Sequence, residues 1–524
     1  MKKLKNILYS LHRVLGTILS ILFLVWFLSG FVMIYHSFPR VTNEQKHEHM
    51  DVLPQNTLSP DSATKTLSAA TMFLKFSLKS YAGKPFYEGL SMEGLTRISA
   101  DCTTMSERVG ITPSYNQIEN YASRWCKADI IQVDTLRELE QWIPFSYLKK
   151  DFPIYKFYFG DEDKHQLYIS SQTGEALQFT NEKSRFWSWL GAIPHWIYFT
   201  SLRQNTQLWS DVIIWASGIG CIMCIVGLTM GVLSYIKQYR RKKKWQTPYK
   251  KFFYKWHHIL GLVFGVFVFS FAFSGMMSLA DVPQWMVKVH NPSIQEQMMF
   301  PNPVILGNYK LDEQKVLSTY SEGIKSIEWA SYGQIPLYKI IVGGEQLTID
   351  ASGDSVKLLS LGEPEIRANL SLVHTEPISI SLITEYDNYY TAKKSRLSLP
   401  VYKVDIADAD NSTYYINPKN GETQYFNMNS KVHRWTYQAL HSYNIGFLTK
   451  HPILWNILMW VTMIGGTFVS LTGVWLGFRY IKRKIKHYKK KIGRLSQGVG
   501  ERKDCLPCYL CAGVIIFFSS FLYF

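Results

Sequence analysis

Apolar positions in this chain gather into four long runs, separated by two much longer mixed segments. The runs at about 13–35, 207–236, 257–280 and 452–478 are each long enough to cross a bilayer as a helix. Between the first and second runs, and again between the third and fourth, the pattern changes to short alternations of aromatic and β-branched residues, broken by turns that contain glycine. "IYKFYFGDEDKHQLYISSQTGEALQF" (154–179) reads as strand, turn, strand, and the same grammar recurs at 401–426 and 337–359. Amphipathic stretches such as 61–78 precede these strands. The expected fold is an α-helical membrane bundle of four main transmembrane helices, with α+β domains outside the membrane.

The pattern also repeats. His12, Gly16 and Ser29-Gly30 return 245 residues later as His257, Gly261 and Ser274-Gly275. Trp189/Trp435, His195/His441, Trp209/Trp455, Gly227/Gly473 and Gly231/Gly477 share an offset of 246, and the strand pairs that open at Ile154 and Val401 an offset of 247. A register kept within two residues across half the chain implies two copies of one unit: span, external domain, span. Both copies start and finish on the same side, so they are parallel repeats about an axis along the membrane normal, with equivalent residues at equal depth. The counterpart of 337–359 in the first copy is expected around 86–103.

Charge orients this arrangement. The chain carries a net +17, and three segments (the start, 237–255 and 479–504) hold 24 of its 57 Lys and Arg but only two of its 40 acids. Basic residues beside spans stay in the cytoplasm, and their position at three helix ends favours this reading over a nucleic-acid partner. The expected order is a cytoplasmic N-terminus and first span (1–36), first external domain (37–206), second span (207–236), basic loop (237–256), third span (257–280), second external domain (281–451), fourth span (452–478) and basic tail (479–504). An apolar segment (505–524) with Cys505, Cys508 and Cys511 follows and is a possible fifth span. No small-residue cleavage site follows the first run, which is expected to be an uncleaved anchor in a bacterial inner membrane. Cys102 and Cys126 could pair in the first external domain, and the Cys221/Cys224 CxxC in the second span reads as two small packing residues.

Four histidines survive the duplication: His12 and His257 at the cytoplasmic ends of their spans, and His195 and His441 on the external side. An imidazole near a membrane core is costly unless it is paired, hydrated or metal-bound. One such residue is more often a polar anchor; two symmetry-related pairs suit two bis-histidine b-type haems, each iron taking one ligand from each copy. Glycines along the spans leave room for a flat ring, although helix packing alone also uses such notches. His258 is expected to face the headgroups or the cytoplasm, and His36, matched by Asp281, is no symmetric ligand but could serve as a third-site or alternative external ligand. His290, His374, His433 and His451 are expected to be external surface or interface residues. Arg185, Trp187, Trp189, Trp196 and Arg203 are candidates for an external docking surface. No GxGxxG or phosphate-binding loop is present, so reduction needs a quinol or a cytoplasmic electron donor.

The strand–turn–strand units, "LHRVLG" and "WHHILG" helix starts, "WLGAIPHWIYFTSLR" (189–203) and "SGFVMIYHSFP" (29–39) resemble the PepSY-associated transmembrane helix family over nearly the whole chain to about residue 490. The resemblance implies a role in iron uptake, similar to di-haem inner-membrane reductases of ferric siderophores, with a ferric chelate as substrate. PepSY modules also resemble inhibitory or chaperone-like domains. The competing expectation is therefore a non-catalytic membrane protein that binds or regulates an external partner such as a peptidase. A transporter, the third possibility, predicts charged or broken helices in mid-span.

Overall fold

The computed structural model describes all residues except 1, 66–71, 102–111, 295–302, 321, 392–396 and 499–524. Three apolar runs form single helices: α1 (Lys2–Tyr35), α2 (Thr206–Lys242) and, last in the chain, Pro452–Gly498. The third run departs from expectation. It forms two helices, α3 (Phe252–Val263) and α4 (Gly265–Met277), bent by 62° at the joint. The last helix is therefore α5. Phe264 occupies the joint, and its ring covers Gly465 of α5, where a Cβ would stand 2.2 Å from the ring. Gly265 follows at once, and glycine adds little to helix continuity there. By length and composition the described residues offer three crossings, or four with the bent pair as one. The helices also outrun their expected ends: α2 continues into the start of the basic loop, to Lys242, and α5 through most of the basic tail, to Gly498.

α1 packs along α5 and also touches α2, while α4 packs along α2 and α3 along α5. The bundle core includes Leu19, Phe23, Phe27, Val268, Trp455, Met459 and Met463, with the free thiols Cys221 and Cys224 packed among them. One tie recurs at an offset of 246. The Trp209 indole donates to the Trp196 carbonyl and the Trp455 indole to the Ser442 carbonyl, each at 2.7 Å. The residues that follow, Ile197 and Tyr443, both adopt positive φ (53° and 49°).

Outside the bundle lie three antiparallel sheets. β4 (Ile130–Leu136), β5 (Ile154–Phe159), β6 (Gln166–Ser170) and β7 (Ala176–Thr180) form one, and β12 (Ile378–Ile383), β13 (Val401–Ile406), β14 (Thr413–Ile416) and β15 (Thr423–Phe426) another. The third sheet joins both external segments. β1 (Lys75–Tyr81), β2 (Lys84–Ser91) and β3 (Gly94–Ser99) continue into β8 (Ile324–Tyr332), β9 (Ile335–Val342), β10 (Glu345–Asp350) and β11 (Lys357–Leu358) through a β1–β8 pairing. The hairpins Tyr81–Lys84 and Tyr332–Ile335 align at an offset of 251. In that register Phe76 pairs with Trp329 while Leu78 pairs with Ile327. Each strand therefore meets the other through the same positions, as across a local twofold. Tyr81 and Tyr332 then lie over Gly174 and Gly421, the positive-φ turn residues of the two four-stranded sheets.

Several expectations change. Of the amphipathic 61–78 stretch, the described residues form the end of the short helix Pro60–Thr64 and the start of β1 at Lys75. His374 is 4 % exposed, bonded to the Tyr414 hydroxyl at 2.7 Å, rather than on the surface. The His258 ring stacks on Tyr235 and bonds Thr247 and the Gly231 carbonyl. Cys102, and with it a pairing to Cys126, lies outside the described residues, as do Cys505, Cys508 and Cys511.

Candidate functional site

The structure brings the four duplicated histidines together two by two. His12 of α1 and His257 of α3 have ring centroids 6.2 Å apart, with planes at 43°. His195, on the short helix Ala192–Trp196, and His441, on Leu440–Ser442, are 6.1 Å apart at 63°. Two metal–nitrogen bonds of about 2 Å, plus the ring radius on each side, put trans imidazoles on one ion roughly 6 Å apart. Both pairs have that spacing, and neither is in stacking contact.

Hydrogen bonds fix which nitrogen faces inward. His12 Nδ1 lies 3.1 Å from the Met223 carbonyl, which can only accept. His195 Nδ1 is 3.2 Å from both the Trp26 carbonyl and Ser29 Oγ, and His441 Nδ1 is 3.0 Å from Ser274 Oγ. His257 Nδ1 is 2.9 Å from Thr472 Oγ1. The three hydroxyls already donate to carbonyls one turn back: Ser29 to Val25, Ser274 to Ser270, Thr472 to Phe468. They therefore accept from the imidazoles. All four Nδ1 atoms are donors, which puts the lone pair on Nε2, the tautomer that binds a metal.

A glycine stands beside each ring, and at Gly227 a side chain would collide with it. A Cβ on Gly227 would meet His12 Cε1 at 2.6 Å, and one on Gly473 would meet His257 Cε1 at 3.6 Å. Gly30 and Gly275 stand in the same relation to His195 and His441, at 3.6 and 3.9 Å. From His12 to Ser29 the α1 axis rises about 25 Å, at roughly 1.5 Å per residue. Aromatic rings fill the bundle between the pairs: Phe23 against Gly220, Phe27 against Gly466, and Phe27 edge-on to Phe271 at 5.8 Å.

The docking candidates are less concerted. Arg185 is committed to Thr180 Oγ1 and the Lys164 carbonyl, at 2.9 and 2.8 Å. Arg203 lies over the rings of Phe145, Tyr198 and Trp209. Trp196 also packs on Tyr198, so these two candidates share a neighbour. Trp187 stacks on His36 with centroids 4.5 Å apart, and Trp189 keeps half its surface exposed. Sequence reading missed the orienting residues Ser29, Ser274 and Thr472. The repeated Ser-Gly dyads were visible as matches, but only the fold shows that the serine holds a histidine more than 160 residues away.

No curated protein matches this chain. Residues 143–305, which run from the first external domain through α2, α3 and α4, match the family model of the PepSY-associated TM region.

Proposed function

We propose that this membrane protein is a b-type haem protein of a bacterial inner membrane that passes electrons outward to a ferric chelate such as a siderophore. In this reading it is two parallel copies of one unit, with its N-terminus in the cytoplasm and four crossings, the third broken at Phe264. His12 and His257 hold one haem near the cytoplasm, and His195 and His441 a second near the external face. The observation that carries the reading is the coincidence, at both pairs, of metal-sharing separation, Nδ1 donors and a glycine beside each ring.

Haem held by two imidazoles supplies one-electron transfer without an open iron position. The chain's residues do the rest. Ser29, Ser274, Thr472 and the Met223 carbonyl hold the imidazoles in one tautomer. The Phe23, Phe27 and Phe271 layer keeps water from the space between the pairs. Electrons would enter from a quinol or from a cytoplasmic donor on the basic face. A reduced chelate would release its iron, because most siderophores hold ferrous iron weakly.

The test is an absorption spectrum of the purified protein, oxidised and then reduced, beside His12→Ala and His441→Ala. A low-spin b-type spectrum with about half the haem lost in each variant is expected. A folded protein expressed with haem supplied, yet free of it, would refute the proposal. The external lobes would then carry the function by binding a partner.

A further inference from the structure

The first external lobe carries a second group of ligand-type side chains, apart from the histidine pairs. Cys126, Asp161 and His165 each offer one sulfur, oxygen or nitrogen atom, and these atoms all lie within 4.8 Å of one another. Asp161 grips His165 twice: Oδ2 is 2.6 Å from the ring Nδ1, and Oδ1 accepts the His165 backbone N–H at 3.0 Å. The imidazole stacks on Phe179 at 4.8 Å and 9°, which leaves it little freedom to turn. Cys126 is a free thiol, half-buried against the apolar core of the same lobe.

The other half of the molecule shows what this turn needs in order to fold. There Asp408 stands for Asp161 at an offset of 247, and it accepts the Ser412 backbone N–H at 2.7 Å. Asn411 takes the positive φ of Lys164, 47° against 50°. The turn closes with serine where the first lobe has His165. The histidine ring is therefore surplus to the backbone geometry, yet it is oriented by a carboxylate and set beside a thiol. Sulfur, imidazole nitrogen and carboxylate oxygen together suit a zinc-like divalent ion; calcium and magnesium take oxygen ligands. Three protein ligands leave a fourth position to water or another donor.

We propose that Cys126, Asp161 and His165 form a divalent transition-metal site of the zinc class on the first external lobe. It is independent of the haem reading.

Zinc itself is the probe, titrated calorimetrically into the full-length protein purified without reductant or chelator, with free thiols mapped first. One tight equivalent is expected, with a zinc-edge absorption spectrum showing a single sulfur neighbour. Cys126→Ser should remove the sulfur signal, and His165→Ser should weaken binding at least about tenfold. The serine variant copies the second lobe, so the turn stays folded, and an unchanged thermal unfolding midpoint checks that it has. Cys221→Ser with Cys224→Ser should change nothing. The site is refuted if Cys126 is found in a disulfide, if no tight equivalent binds, or if binding survives Cys126→Ser.

Discussion

The two halves of this molecule share backbone geometry but differ in what they place on it. Tyr81 over Gly174 and Tyr332 over Gly421 make the same joint between sheets, and Trp209 and Trp455 tie the same helix turn. The side chains diverge. In the first half Glu88 is gripped by Arg97 at 2.7 Å and by Lys79, with Arg97 and Glu88 largely buried. At an offset of 251 the second half has Lys339, Thr348 and Ala330, with no such network. Backbone closure in this fold is thus a requirement common to both halves, while charge is a local addition that each half can hold or drop.

That contrast can be broken experimentally, and the largest effect should come from the ion network. Glu88→Gln strips the buried Arg97 of its carboxylate, while Lys79 keeps Glu175 at 3.3 Å, and should cost about 3 kcal/mol in the first lobe. Lys339→Gln, at the matching place, should be nearly neutral. Limited proteolysis and hydrogen exchange over β1–β3 would show the difference.

Next in size is a pair of glycines. Gly227→Ala must displace His12, since the new Cβ would stand 2.6 Å from its ring, whereas Gly473→Ala makes ordinary contact with His257 at 3.6 Å. Under the proposed haem assignment, the first should lose the group held by His12 and His257 and the second keep it, read from the haem-to-protein absorbance ratio. Equal loss in both would mean that the halves are more alike than their side chains indicate.

Glu313, on the helix Glu313–Thr319 of the second external domain, tests burial without a partner. Desolvation raises its carboxyl from 4.5 to about 6, and its Oε1 has no hydrogen-bond partner. A raised native pKa means that the folded state binds the proton more tightly. The stabilisation is present below about pH 4.5 and is lost as pH climbs through about 6. Glu313→Gln should therefore raise stability by about 2 kcal/mol above pH 7 and flatten the profile between pH 4.5 and 6, measured by thermal unfolding. The smallest effect expected is from Ser274→Ala, which removes the hydroxyl bonded to His441. Under the proposed haem assignment, affinity at the His195/His441 pair should fall about tenfold and the midpoint potential there shift, with the His12/His257 pair untouched.

The histidine pairing was legible early because a register repeated along the sequence restricts geometry. If residues such as His12 and His257 share a depth on opposite sides of an axis, sequence alone suggests that they meet. The spans were legible for a different reason, since hydrocarbon admits few backbone solutions. The bend at Phe264 was not, because "LGLVFGVFVF" keeps its apolar character through the joint and gives no proline or charge to mark it. His374 also misled, since a histidine among polar neighbours reads as surface until the Tyr414 hydroxyl is found beside it.

By itself the sequence determined the membrane-crossing runs, the repeated register and the four candidate ligands, all of which depend on periodicity and composition along one dimension. Only the tertiary structure decided that β1 and β8 fuse the two external segments into one sheet, that hydroxyls from other helices or half a chain away set the imidazole tautomers, and that Cys126 reaches His165. Those features are contacts between positions tens to hundreds of residues apart, whose partners are chosen by packing and hydrogen-bond geometry rather than by local pattern.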